Sequence, residues 1–219
     1  CDPLARDRKL QSLRGRGAAR AVRAIIDTFP PYGVRKLAQS TSVSAPTLSR
    51  VLDLLEREAI VTRMRGAVSA VDWQGAIRRW IEDYDQTNSN TPTMALEPRG
   101  LPALEKKLRA TKLRYVATGA FAAQRFDPIA PARQVAISVT DAIESMDHLD
   151  LRETETGSNA LILEPFDPVV FDRAVDRDGL RCVAPSQLAA DLLTGPGREP
   201  SQGEHLLGWM EKNEHVWRS

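Results

Sequence analysis

Through the first part of the chain, apolar side chains recur every three to four positions. Val22, Ile25, Ile26 and Phe29 share one helical face and predict a helix over residues 17–29. Pro30, Pro31 and Gly33 end it. From residue 34 to residue 73 a short helix, a tight turn, a longer helix and a two-stranded ribbon are predicted to follow one another without a gap. Val43, Leu48, Val51, Leu52 and Leu55 form the apolar stripe of the longer helix. Ser44 fits its N-cap, and Pro46 fits its first turn, where a missing N–H costs nothing. Residues 60–64 and 67–71 flank Gly66 as strand, turn and strand. A further helix is expected over residues 73–84. Its aromatic face of Trp73, Ile77, Trp80, Ile81 and Tyr84 reads as core, and the helix as a bridge toward whatever follows.

Residues 86–93, QTNSNTPT, are polar and close with Pro92, which marks a linker. Beyond them the periodicity changes. A short amphipathic helix is expected over 101–108. Strands are expected over 114–118, 134–139, 149–153, 160–163 and 180–183. Helices are expected over 119–126, 185–193 and 201–213, with one helical turn at 168–173. Irregular alternation of this kind predicts a small mixed sheet. The expected fold class is α+β. The division is a basic arm at 1–16, a winged helix-turn-helix at 17–73, a bridging helix and linker at 74–93, and a mixed α/β domain at 94–219.

Length and charge sharpen this division. The 219 residues suffice for two small domains. Residues 1–80 carry 15 Lys/Arg against 7 Asp/Glu, a net of +8, whereas residues 81–219 carry 15 against 22, a net of −7. The basic half suits an electrostatic footprint on nucleic acid, and the acidic half would be repelled by phosphate. No apolar run approaches the ~18 residues of a membrane span. No charged start followed by an apolar stretch suggests a signal peptide. Cys1 and Cys182 are too few for a disulfide framework, which fits a cytoplasmic protein.

Two helices crossing through a tight turn need a small residue in the first, which Ala38 supplies, and an αL-tolerant residue in the turn. Ser42 stands where glycine would be the better fit, at a cost if its φ is positive. Polar residues then fall where a reader helix needs them. Ser44, Thr47, Ser49 and Arg50 lie off the apolar stripe near the N-terminal end of the longer helix, the end that enters a major groove. Arg50 suits a bidentate contact to guanine, and Thr47 or Ser49 a base edge or phosphate. Arg63 and Arg65 in the ribbon are expected along phosphates or in the adjacent minor groove. The same element can also serve as packing or as a protein-interaction surface.

Residues 114–141 have the outline of a degenerate nucleotidyltransferase: strand, glycine, helix, strand, acid. The chemistry needs a Gly-Ser turn for the triphosphate and paired carboxylates for magnesium. Here Ala120 follows Gly119, and the second strand offers Asp141 alone. Asp147, His148 and Asp150 read as a charged loop entering a strand rather than as metal ligands. No nucleophile-elbow, Walker or zinc-binding motif occurs. Cys182, among apolar neighbours, reads as packed. No catalytic residue, metal site or cofactor is expected.

The second half carries YVATGAFAAQRF (115–126), PARQVAISV (131–139), EPFDPVVF (164–171) and GLRCVAPSQLAADLL (179–193). With the preceding helix-turn-helix, their order and spacing resemble the AbiEi-type antitoxins, transcriptional regulators of type IV toxin–antitoxin systems in bacteria. The resemblance implies an N-terminal domain that binds repeated operator half-sites in double-stranded DNA and represses its own operon. It also implies a C-terminal domain that opposes a nucleotidyltransferase-like toxin. The reader positions it carries over are Ser44, Thr47, Ser49 and Arg50, with Arg63 and Arg65 in the wing. Solitary regulators share the architecture. A second domain that senses a small molecule or dimerises therefore stays open.

Overall fold

The computed structural model describes residues 10–219, so the larger part of the expected basic arm, residues 1–9 with Arg6, Arg8 and Lys9, lies outside the described residues. The chain is mixed α+β and divides into two compact units. Unit 1 comprises the chain up to Asp83 together with Arg218–Ser219, and unit 2 is Tyr84–Trp217. Among the described residues no helix is long and apolar enough to cross a membrane.

Unit 1 runs α1 (Arg16–Asp27), β1 (Tyr32–Gly33), α2 (Val34–Ser40), α3 (Ala45–Arg57), β2 (Val61–Met64), β3 (Ala67–Val71) and α4 (Trp73–Ile81). β3 pairs antiparallel with both β1 and β2, which makes a three-stranded sheet in the order β1-β3-β2. The first of these strands, only two residues long, had no periodicity to announce it. α1 packs against α3 and α4. Val22, Ile25 and Ile26 of α1, Leu48, Val51, Leu52 and Leu55 of α3, and Ile77 and Trp80 of α4 are all buried. At about 1.5–3 kcal/mol for each large apolar side chain removed from water, this one core accounts for the helical stripes seen in the sequence. Gly17 lets α1 approach α3 closely, since a Cβ there would lie 3.3 Å from the Thr47 methyl. Ser42 is not among the described residues of positive φ, so the expected cost in the turn does not arise. The end of α2 is closed by hydroxyls instead: Thr41 Oγ1 and Ser40 Oγ both donate to Leu37 O, at 2.8 and 3.1 Å.

The described end of the expected arm is anchored. Leu13 is buried, its N–H donates to Asp83 Oδ2 at 2.7 Å, and Ser12 Oγ donates to Asp83 Oδ1 at 3.0 Å. Arg57 and Arg79 donate to the carbonyls of Leu10 and Gln11 at 2.6 and 2.9 Å. Burial pushes the Asp83 carboxyl up, but the bonds from Leu13, Arg79 and Ser12 outweigh it and hold the group below its usual range.

Unit 2 departs further from expectation. Its sheet has seven strands, not a few. They are β4 (Thr91–Leu96), β5 (Tyr115–Thr118), β6 (Val135–Val139), β7 (Arg152–Glu153), β8 (Ala160–Glu164), β9 (Val175–Arg177) and β10 (Leu180–Cys182). Their order is β7-β4-β8-β6-β5-β10-β9, parallel at β6/β8 and β5/β10 and antiparallel elsewhere. The polar stretch read as a linker at 86–93 ends inside β4, where Thr91, Pro92 and Thr93 pair with Glu164, Leu163 and Ile162 of β8. Asp147 and His148, read as part of a charged loop entering a strand, instead end a helix over Ala142–His148. The helices are α5 (Leu101–Ala110), α6 (Gly119–Ala123), α7 (Ala142–His148), α8 (Pro185–Leu193), α9 (Glu199–Lys212) and α10 (Glu214–Trp217), with a 3-10 turn at Pro168–Phe171. Every residue of β5 and β6 is buried, the mark of central strands covered on both faces.

Candidate nucleic-acid interface

The N-terminal end of α3 is built by Ser44. Its hydroxyl oxygen accepts from Thr47 N at 3.3 Å, while its own O–H donates to Thr47 Oγ1 at 2.9 Å. The Ser44 hydroxyl is therefore engaged in the cap. Thr47 is half-buried, and its methyl faces Gly17 of α1. Of the four reader positions on α3, these two hold the helix in place. Ser49 and Arg50 lie one and two positions beyond the stripe residue Leu48, and Arg50 is exposed. Arg50 Nε donates to Pro46 O at 3.3 Å, which steadies the side chain along its own helix and leaves the other guanidinium N–H groups for a partner.

The two ribbon arginines differ. Arg63 on β2 donates to Asp53 Oδ1 at 2.6 Å and, through Nε, to Glu56 Oε2 at 2.9 Å. Both acceptors are on α3, so Arg63 ties the ribbon to that helix. This bonding holds the Glu56 carboxyl below its usual range and raises Arg63. Arg65 stands at the ribbon tip, exposed, with φ 52 beside Gly66 at φ 81. Two successive positive φ values make the two-residue turn that matches the twist of a hairpin. A non-glycine side chain there carries a backbone cost. The tip thus carries an arginine in a backbone conformation that favours glycine.

Two further cations were not among the sequence candidates. Arg35 and Lys36 are exposed on α2, whose inward residue is Leu37. The signal was legible: once Leu37 faces inward, positions 35 and 36 fall outside the stripe. Arg35, Lys36, Arg50 and Arg65 are exposed cations on α2, α3 and the ribbon tip; Arg57, at the far end of α3, is exposed as well but donates to Leu10 O. Together they offer charge for phosphates and, from Arg50, fork-shaped donors for a base edge.

Of the residues weighed for chemistry in unit 2, Asp141 and Asp150 have partners of their own. Asp141 caps α7, accepting from Glu144 N at 2.9 Å. Asp147 and His148 lie exposed on α7, and Asp150 follows it at φ 49, with Arg99 at 3.6 Å and Lys107 at 3.8 Å. His148 and Asp150 therefore do not share a strand face. Among the described residues no group of three or more His, Cys, Asp or Glu is placed to hold a metal ion. Gly119, at φ 62, opens α6, and the N–H of Ala120 donates to Glu199 Oε1 at 3.0 Å, so a carboxylate from this chain sits at that turn. Burial pushes the Glu199 carboxyl up, the Ala120 N–H opposes this, and the charge of Asp191 adds to it. Cys182 is fully buried, and desolvation pushes its thiol up to about 12, the opposite of an activated nucleophile.

No protein-family model, no curated protein and no solved structure matches the chain.

Proposed function

We propose that the chain is a DNA-binding transcriptional repressor whose unit 1 is a winged helix-turn-helix. In this reading α2 and α3 are the helix-turn-helix, α3 enters the major groove, and the β2–β3 ribbon is the wing. The observation that carries it is the outward set of Arg35, Lys36, Arg50 and Arg65 on a unit whose apolar faces are turned inward. Arg50 reads a base, Arg35 and Lys36 lie on phosphates, and Arg65 tracks the backbone or the adjacent minor groove. Arg63 has a different part from the one its position suggested: it sets the angle of the wing to the reader helix through Asp53 and Glu56.

The resemblance to AbiEi-type antitoxins extends the proposal. The chain represses its own operon, and unit 2 opposes a nucleotidyltransferase-like toxin encoded beside it. Expression of variants next to that toxin tests this arm: growth rescue lost with unit 2 supports it, and full rescue by residues 1–83 alone counts against it. Gel-shift titration of the full chain on its own upstream DNA tests the DNA arm. Binding that weakens steeply with salt, and that Arg50→Ala impairs on one sequence more than on others, is the expected outcome.

A further inference from the structure

Unit 1 is not one continuous stretch of chain, because Arg218 and Ser219 belong to it. Arg218, the penultimate residue of the sequence, is 6% exposed. Its Nε donates to Ile26 O at 2.8 Å and its Nη2 to Thr28 O at 3.0 Å. Its guanidinium stacks over the Phe29 ring, 4.8 Å from the centroid. Ser219 pairs through its backbone with the same segment: its N–H donates to Asp27 O at 3.1 Å, and its carbonyl accepts from Phe29 N at 3.0 Å.

These bonds fall at one place, the C-terminal end of α1. A helix leaves its last carbonyls without intrahelical donors, and burying them unpaired costs about 1–3 kcal/mol each. At the end of α1, Ile25 O accepts from the Tyr32 hydroxyl at 3.2 Å. Ile26 O and Asp27 O are satisfied by residues 218 and 219. α1 has no basic residue in its last turn and no glycine cap; Thr28 there is extended. The cation that complements the negative end of the helix comes from about 190 residues away. Trp217, immediately before, is held within unit 2, its Nε1 donating to Met210 O at 2.9 Å.

We propose that Arg218–Ser219 is a detachable clip on unit 1. Seated, it closes α1 and keeps the helix that backs α3 at full stability. Withdrawn, by displacement or trimming of the segment around residues 214–219, it frays α1 from its C-terminal end and weakens whatever unit 1 binds. The clip itself does not depend on the DNA reading; only its effect on operator affinity rests on that reading.

Hydrogen exchange on the full chain, compared with Arg218→Ala and with a chain ending at Trp217, tests it. Amides of residues 22–33 should exchange at least about tenfold faster in both variants, while amides of β5, β6 and α8 stay unchanged and report that unit 2 is folded. Ser219→Pro, which removes one backbone donor, should give a smaller change in the same segment. Operator affinity should fall several-fold in parallel. Unchanged exchange at residues 22–33 in the two stronger variants overturns the proposal, as does loss of protection spread evenly over both units. Faster exchange at α1 in a chain that binds no DNA at all keeps the clip and removes the repressor reading.

Discussion

In unit 1 the guanidinium groups of Arg35 and Arg50 and the ammonium group of Lys36 stand at the surface on helices whose inner faces are apolar, and the Arg65 guanidinium stands at the ribbon tip. In unit 2 the most connected polar groups are shut inside. Tyr84, Thr118, Gln187 and Asp191 are all buried. The Tyr84 hydroxyl donates to Asp191 Oδ1 at 2.6 Å, Gln187 Nε2 donates to the same oxygen at 2.8 Å, and Thr118 Oγ1 donates to Asp191 Oδ2. A polar group in water is available to a partner, whereas one that is buried and satisfied fixes the position of what surrounds it. Unit 1 therefore presents cations that a partner in solution can reach. In unit 2 the network joins Tyr84, the first residue of the unit, to β5 and α8, and its role is architectural.

Cutting the core of unit 1 breaks that contrast most severely. Leu48→Ala removes a fully buried side chain in the first turn of α3. It is expected to destabilise unit 1 by about 2–5 kcal/mol, read as a lower urea midpoint for the transition reported by Trp73 and Trp80, with DNA binding lost alongside. Asp191→Ala is the corresponding cut in unit 2. It removes the acceptor shared by the Tyr84 and Thr118 hydroxyls and the Gln187 amide, and a cost of about 2–3 kcal/mol is expected. Urea unfolding should show it in unit 2, with the salt dependence of DNA binding unaltered.

The two halves were not equally legible in the sequence. Unit 1 is helical and local, and its core residues repeat at helical spacing, so α1, α3 and α4 could be placed from Val22, Leu48 and Trp80. The ribbon followed from Gly66. What the sequence hid there was Arg63, because an ion pair to Asp53 and Glu56 looks the same in a string of letters as a cation awaiting phosphate. It hid Arg218 as well, whose partners lie at the other end of the chain. Unit 2 was read less well, since its sheet pairs β4 with β8 and β5 with β10 across long separations. β4 carries Thr, Pro and Thr in its first half, a composition that suits a linker as well as it suits an edge region. α7 is only 7 residues long and amphipathic over two turns at most. Its acids drew attention as ligands, when Asp141 serves as a cap.

Smaller changes sharpen the contrast at the surface. Arg50→Ala should cost about 1–3 kcal/mol of DNA affinity and relax preference at one base position, checked by gel shifts on a set of single-base operator variants. Arg63→Ala is expected to weaken binding by altering the wing, and to leave the salt slope nearly unchanged because Arg63 already pairs with carboxylates. The smallest effect is one of pH. Asp83 has its folded pKa depressed below the unfolded value, so its stabilisation is full above the unfolded value near 4 and is lost as pH falls through the folded one. Unit 1 should lose stability below about pH 4, and Asp83→Asn should lower stability at neutral pH while flattening that acid limb, seen in urea midpoints measured across pH.

In the proposed function unit 1 recognises DNA through the outward cations of α2, α3 and the ribbon tip. Equilibrium binding of the full chain to its upstream DNA, measured at four or more salt concentrations for the natural sequence and for the double variant Arg35→Ala, Lys36→Ala, tests it most directly. Log affinity should fall linearly with log salt, with a slope shallower in the variant by about two, one for each phosphate contact removed. Absence of binding at low salt, or an identical slope for the two proteins, would contradict it.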